Sequence, residues 1–184
     1  MEDISKIFKY AMLFPIIVAY IVCIMIVPVL AQNNNIVNDY KIISDDLEFV
    51  WPTPGFYKIS SYFGKRNSPT TGASSYHQGV DILAYQGSKV LSFTCGTVTF
   101  AGWDNAGGYM IKIKHDNNIE TAYCHLSEEL LVGKGESVQI GQVIGTVGPK
   151  YVSGGKLNGA TTGVHLHFAV YSSQKAVNPL LFFE

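Results

Sequence analysis

An all-β fold follows from three features of this 184-residue chain. Nine short apolar or alternating runs follow one another between turn signals rich in the chain's 18 glycines, and only Ser127 to Leu131 has a briefly helical pattern. One run, Gly163 to Tyr171, alternates with the period of a strand, with Val164, Leu166, Phe168 and Val170 on one face and His165 and His167 on the other. The turn Asp116-Asn117-Asn118 between two alternating runs is a hairpin signal, so the strands on either side of it should pair antiparallel.

The amino end is different in kind. From Ala11 to Ala31 the residues are apolar or uncharged, and such a run reaches about the ~30 Å of a bilayer core. Lys6 and Lys9 precede it and no basic residue follows until Lys41, which predicts a short cytoplasmic end (1–10), a single membrane span (11–31) and everything beyond on the outer side. A signal peptide cleaved after Val29-Leu30-Ala31 is the rival reading, and both export the rest of the chain. The Asn-rich, then acidic stretch 32–50 reads as a polar tether with a turn of helix near Asp45 to Phe49. Trp51-Pro52-Thr53-Pro54-Gly55 is a stiff turn that opens a domain over 51–184.

Strands are expected at Lys58 to Tyr62, Gly79 to Leu83, Lys89 to Phe93, Gly96 to Ala101, Tyr109 to His115, Ile119 to His125, Ser137 to Ile140, Val143 to Val147 and Val164 to Tyr171. A net charge of -1 without any Lys/Arg cluster argues against a nucleic-acid partner. Cys95 and Cys124 lie in apolar runs, as buried thiols do, although a bridge between them is not excluded by spacing.

The histidines carry the chemistry. His165 and His167 share a strand face, which suits metal ligation or catalysis. His77 with Asp81 four residues on offers a nitrogen and a carboxylate oxygen of the kind zinc takes, but a loop hydrogen bond would use the same pair, and spacing alone leaves both readings open. In Thr121 to Leu126 the apolar face falls to Ala122, Cys124 and Leu126, which puts Tyr123 on the other face with His125. His115, at the mouth of the Asp-Asn-Asn turn, is a strand-end residue with no assigned chemistry.

Taken in order, Tyr62-Phe63-Gly64-Lys65-Arg66, His77-x-x-x-Asp81 with Gly79-Val80-Asp81-Ile82, Tyr123-Cys124-His125-Leu126, Gly141-Gln142-Val143-Ile144-Gly145 and Gly163-Val164-His165-Leu166-His167-Phe168 resemble the LytM/lysostaphin-type M23 family of zinc metallopeptidases. The resemblance covers Trp51 to Phe183. It implies a compact antiparallel β-sheet or sandwich of the LytM (duplicated hybrid motif-like) type, with a metal-bearing groove. It implies one Zn2+ per domain on His77, Asp81 and His167, with His125 and His165 as unliganded catalytic histidines. Tyr123 would either hydrogen-bond the reaction intermediate or be a plain sheet-surface residue. Loops at Lys65 to Tyr76, Trp103 to Tyr109 and Gly148 to Thr162 would wall the groove. The implied activity is hydrolysis of peptidoglycan peptides on the outer side of the cytoplasmic membrane. The alternative is a non-catalytic scaffold that binds an envelope protein partner or activates another hydrolase.

Overall fold

Residues 40–44 and 47–183 are described by a computed structural model. The expected membrane span at 11–31 and the cytoplasmic end before it lie outside the described residues. Among the described residues no helix is long and apolar enough to cross a membrane.

The strands, in chain order, are β1 (Tyr40–Ser44), β2 (Leu47–Val50), β3 (Ile59–Ser61), β4 (Gly64–Lys65), β5 (Tyr76–His77), β6 (Val80–Ile82), β7 (Lys89–Leu91), β8 (Gly96–Asp104), β9 (Gly108–Lys114), β10 (Ile119–Cys124), β11 (Ser137–Val138), β12 (Val143–Thr146), β13 (Leu166–Ser172) and β14 (Lys175–Val177). The main sheet has the order β11-β8-β9-β10-β13-β6-β3, with β14 also on β13, and every pairing in it is antiparallel. Two-stranded sheets β1-β2, β7-β12 and β4-β5 complete the fold.

Alternation gives the main sheet two unlike faces. Ile82, Ile111, Ile113, Tyr123, Leu166, Phe168 and Val170 are fully buried on one of them, in a core shared with Val90 of β7 and Ile144 of β12. Phe93 is the centre of this core: it stacks on Phe49 at 4.4 Å and meets Phe168, Phe182 and Phe183 at 5.5–5.8 Å. On the other face Met110, Ala122, Cys124 and Ala169 form a smaller cluster that floors a groove.

All nine expected strands are present, and the Asp116-Asn117-Asn118 turn joins β9 to β10 with both asparagines left-handed (φ 55° and 57°), the backbone a tight two-residue hairpin needs. Three expectations are corrected. In place of a turn of helix at Asp45 to Phe49, β2 pairs with β1, and Phe49 and Val50 enter the core, where the stacking on Phe93 outweighs local propensity. Ser127 to Leu131 is not helical, because Ser127 N–H and Leu131 N–H donate to Thr146 and Ile144 carbonyls beside β12 rather than within the segment. Tyr123 does not share the face of His125: it is fully buried in the core. Cys95 and Cys124 remain thiols, Cys124 in the groove floor and Cys95 near Ile140 N–H.

His115 is a buried core residue. Its Nδ1 lies 2.8 Å from the Cys95 carbonyl, which can only accept, so Nδ1 carries the proton and Nε2 accepts from the Thr121 hydroxyl at 2.8 Å. Thr121 Oγ1 is 3.1 Å from the Tyr123 hydroxyl, which in turn accepts Phe93 N–H. This chain satisfies every polar group that the core encloses there. It also requires a neutral ring, and burial lowers the His115 pKa to about 4. The unfolded chain, with histidine near 6.5, binds the proton first, so this contribution to stability is full above about pH 6.5 and is lost as pH falls towards 4. The difference in unfolding free energy between the wild type and His115→Gln should therefore shrink by roughly 3 kcal/mol between pH 7 and pH 4, measured by chemical denaturation. A pH-independent difference would show that His115 does not titrate on unfolding.

Candidate metal centre

The pairing of β6 with β13 sets Asp81 directly opposite His167, and His77 comes from β5, which pairs with β4 outside the main sheet. His77 Nε2, Asp81 Oδ1 and His167 Nδ1 converge, with separations of 2.9 Å between the two nitrogens, 3.1 Å from His77 to Asp81 and 2.9 Å from His167 to Asp81. His77 Nδ1 lies 2.9 Å from the Tyr62 carbonyl and must donate to it, which leaves Nε2 as a bare lone pair. Three acceptor atoms so close repel one another, and a proton on His167 Nδ1 relieves only part of that repulsion. A cation among them relieves all of it. Tetrahedral zinc with ligands at ~2.0–2.1 Å would hold them roughly 3.3 Å apart, so the donor set fits in chemistry and, within a few tenths of an ångström, in spacing. The same three residues are the His/Asp group among the described residues that could hold a metal ion.

Asp81 is the hub. Its Oδ2 accepts from Arg66 Nη1 at 3.2 Å, and His165 Nε2 stands 3.5 Å from Oδ1. Burial acts to raise its pKa, but the imidazoles of His165, His167 and His77 set against it outweigh burial and hold the carboxyl well below the usual range. Burial lowers the pKa of His167, against the pull of Asp81.

His125 and His165 complete the cluster, their rings 4.8 Å apart. β10 ends at Cys124, and His125 adopts a left-handed backbone (φ 60°), a conformation seldom taken by a residue with a Cβ. That twist turns His125 to the groove, whereas uninterrupted alternation would have opposed it to Cys124. It is held by backbone bonds on both sides, His125 N–H to Gly107 and Gly148 N–H to the His125 carbonyl. His125 Nδ1 donates to the Asn158 carbonyl at 2.7 Å, and His165 Nδ1 to the Gly163 carbonyl at 3.0 Å. With Nδ1 so committed, each ring has Nε2 left for the site. Burial, with His165 and His167 nearby, lowers the His125 pKa to about 3, so it is a neutral acceptor at neutral pH.

Arg66, Ser61 and Asn158 were given no role by sequence. Arg66 also reaches Ser61, whose hydroxyl is 3.3 Å from His77 Nδ1. Asn158, fully buried, donates to the Leu126 and Pro149 carbonyls and accepts Tyr109 N–H. Gly108 (φ 68°) and Gly159 (φ 76°) close around it, where a Cβ on Gly108 would collide with Asn158 and one on Gly159 with the Ala106 carbonyl. The groove itself is a cavity of about 720 Å³ walled by all three expected loops: Arg66 to Tyr76, Asp104 to Gly107, and Ala160 with Thr162.

The profile of Peptidase family M23 matches residues 75–179. The DD-carboxypeptidase/endopeptidase Mpg of Neisseria meningitidis serogroup B is 36% identical over 142 residues, 77% of this chain and 31% of that protein. The peptidoglycan DD-endopeptidase ShyC of Vibrio cholerae is 35% identical over 114 residues, 61% of this chain and 24% of that protein. The chain therefore spans about a third or less of these relatives. Among solved structures, a zinc-containing peptidase from Vibrio cholerae superposes with a TM-score of 0.61 at 27% identity, covering 79% of this chain and 45% of that one.

After exposure to zinc and dialysis, the full chain should retain about one equivalent by elemental analysis, and Asp81→Ala or His167→Ala should retain none. Asn158→Ala should keep the metal but lose about 2–3 kcal/mol of stability, since two buried carbonyls and Tyr109 N–H lose their partner.

Proposed function

The chain belongs to peptidase family M23, and on that premise we propose that it is a zinc-dependent endopeptidase that hydrolyses peptide bonds of peptidoglycan. The observation that carries this reading is the convergence of His77 Nε2, Asp81 Oδ1 and His167 Nδ1 beside two histidines whose Nδ1 protons are committed to backbone carbonyls. The naming of similar proteins as peptidoglycan endopeptidase and zinc-containing peptidase supports the substrate and the metal.

Zinc held by His77, Asp81 and His167 would supply positive charge that acidifies water and polarises a peptide carbonyl. His125, neutral and with Nε2 unprotonated, is suited to take a proton from the attacking water. His165, at 4.8 Å ring to ring, is suited to stabilise the developing oxyanion or to return that proton to the leaving amine. The fixed Nδ1 donors keep both rings from rotating, so the geometry exists before substrate arrives. The loops from Arg66 to Tyr76 and at Ala160 to Thr162 would hold the peptide over this cluster.

We place the domain outside the cytoplasmic membrane, tethered by residues 11–31, on the strength of the uncharged apolar run and the lysines before it. A scaffold would have no need of three site histidines with Nδ1 so fixed, which favours the enzyme.

Digestion of purified sacculi by the full chain should release muropeptides, and a chelator should stop it. His125→Ala and His165→Ala should each lower turnover by at least ~100-fold while zinc stays bound. Full activity in His125→Ala would remove its role, and no release by the zinc-loaded wild type would overturn the enzyme reading.

A further inference from the structure

The groove floor is a ladder of cross-strand rows. The metal row runs Cys124, His167, Asp81. The next row runs Phe100, Lys112, Ala122, Ala169, and the one after it Thr97, Lys114, Glu120, Tyr171. A second cavity of about 610 Å³ lies over the last row, and it meets the metal cavity at Lys112 and Tyr171, the two residues that line both. The groove therefore continues beyond the catalytic cluster.

The two lysines on this floor differ. Lys114 stands directly opposite Glu120 on β10 and has a carboxylate within its row. Lys112 stands between Phe100 and Ala122, both without charge. Among the described residues no ion pair includes Lys112. Asp104, which lines the same cavity, accepts the Ala106 and Gly107 N–H groups on Oδ1 at 2.8 Å each and forms no ion pair with Lys112, although these bonds and then the charge of Lys112 lower its pKa. A half-buried lysine between uncharged neighbours, with no carboxylate in contact, is a binding site for an anion carried by the ligand.

Resting on the endopeptidase reading, we propose that Lys112 is a specificity-determining residue that binds a free carboxylate of the peptide substrate. The register sets the distance: two strand spacings of ~4.8 Å across the sheet and two residues of ~3.3 Å along it put Lys112 about 12 Å from His167, backbone to backbone. An extended peptide covers that in roughly three or four residues, and the lysine's own length shortens it, so the carboxylate belongs about three residues from the bond cut. Substrates whose carboxylates are amidated lack the group it binds.

The test uses the zinc-loaded full chain and a matched pair of cross-linked muropeptides, one with free carboxylates and one amidated. The free acid should have a KM about three- to tenfold lower, with kcat unchanged. Lys112→Met and Lys112→Gln should both erase that preference, whereas Lys114→Met should keep it. Equal KM values for the two substrates in the wild type, or a preference that survives in both Lys112 variants, would overturn the inference and leave the endopeptidase reading intact. If neither substrate is cut, the endopeptidase reading fails, and fluorescence polarisation with the same two peptides decides the Lys112 site separately. There a preference for the acid that disappears in Lys112→Gln supports the site, and equal binding of acid and amide overturns it.

Discussion

One buried carboxylate governs the arrangement of this domain. Asp81 accepts from or abuts His77, His165, His167 and Arg66, and those four come from β5, the segment before β13, β13 itself and the turn after β4. A carboxylate cannot be enclosed without donors such as Arg66 and His167, because desolvation would drive it to the neutral acid. The β6-β13 pairing brings His167 to it, and the separate β4-β5 pair brings His77 and, just after β4, Arg66. Fold and site are therefore not separable here: the hydrogen-bond ladder that joins β6 to β13 is also the scaffold of the candidate metal ligands.

The second constraint is the division of labour between the faces of β10 and β13. Phe168 and Tyr123 are opposite one another in the register and close in the core, their rings 5.3 Å apart, while their chain neighbours His167 and Cys124 are opposite one another in the groove. The groove floor is thus backed by close-packed aromatic rings, and little freedom remains for the histidines to drift.

What the sequence made legible follows the same logic. Strict alternation over Val164 to Val170 placed His167 opposite the core, and the Asn117-Asn118 turn announced its hairpin, because both signals are local. Tyr123 was misplaced because alternation assumes an unbroken strand, and the left-handed backbone at His125 ends the strand one residue earlier. The β1-β2 hairpin was hidden because its support is the distant Phe93, and a window of eleven residues does not contain it. Asn158 was invisible for a related reason: its partners Tyr109, Leu126 and Pro149 are scattered, and only the folded chain collects them. The grouping of His77 with Asp81 and His167 needed the resemblance to a family, since no spacing rule connects residues ninety positions apart.

The period of two in β13 has a consequence for how this chain can change. Loops such as Gly148 to Thr162 can lengthen or shorten while the sheet stands. Inside β13, a single inserted or deleted residue would exchange the two sets of side chains, turning Leu166 and Phe168 to water and His167 into the aromatic core. Unless a bulge absorbs the change, core and chemistry would be lost together. Within this strand a change of length is therefore costlier than a substitution, whereas the loops tolerate either.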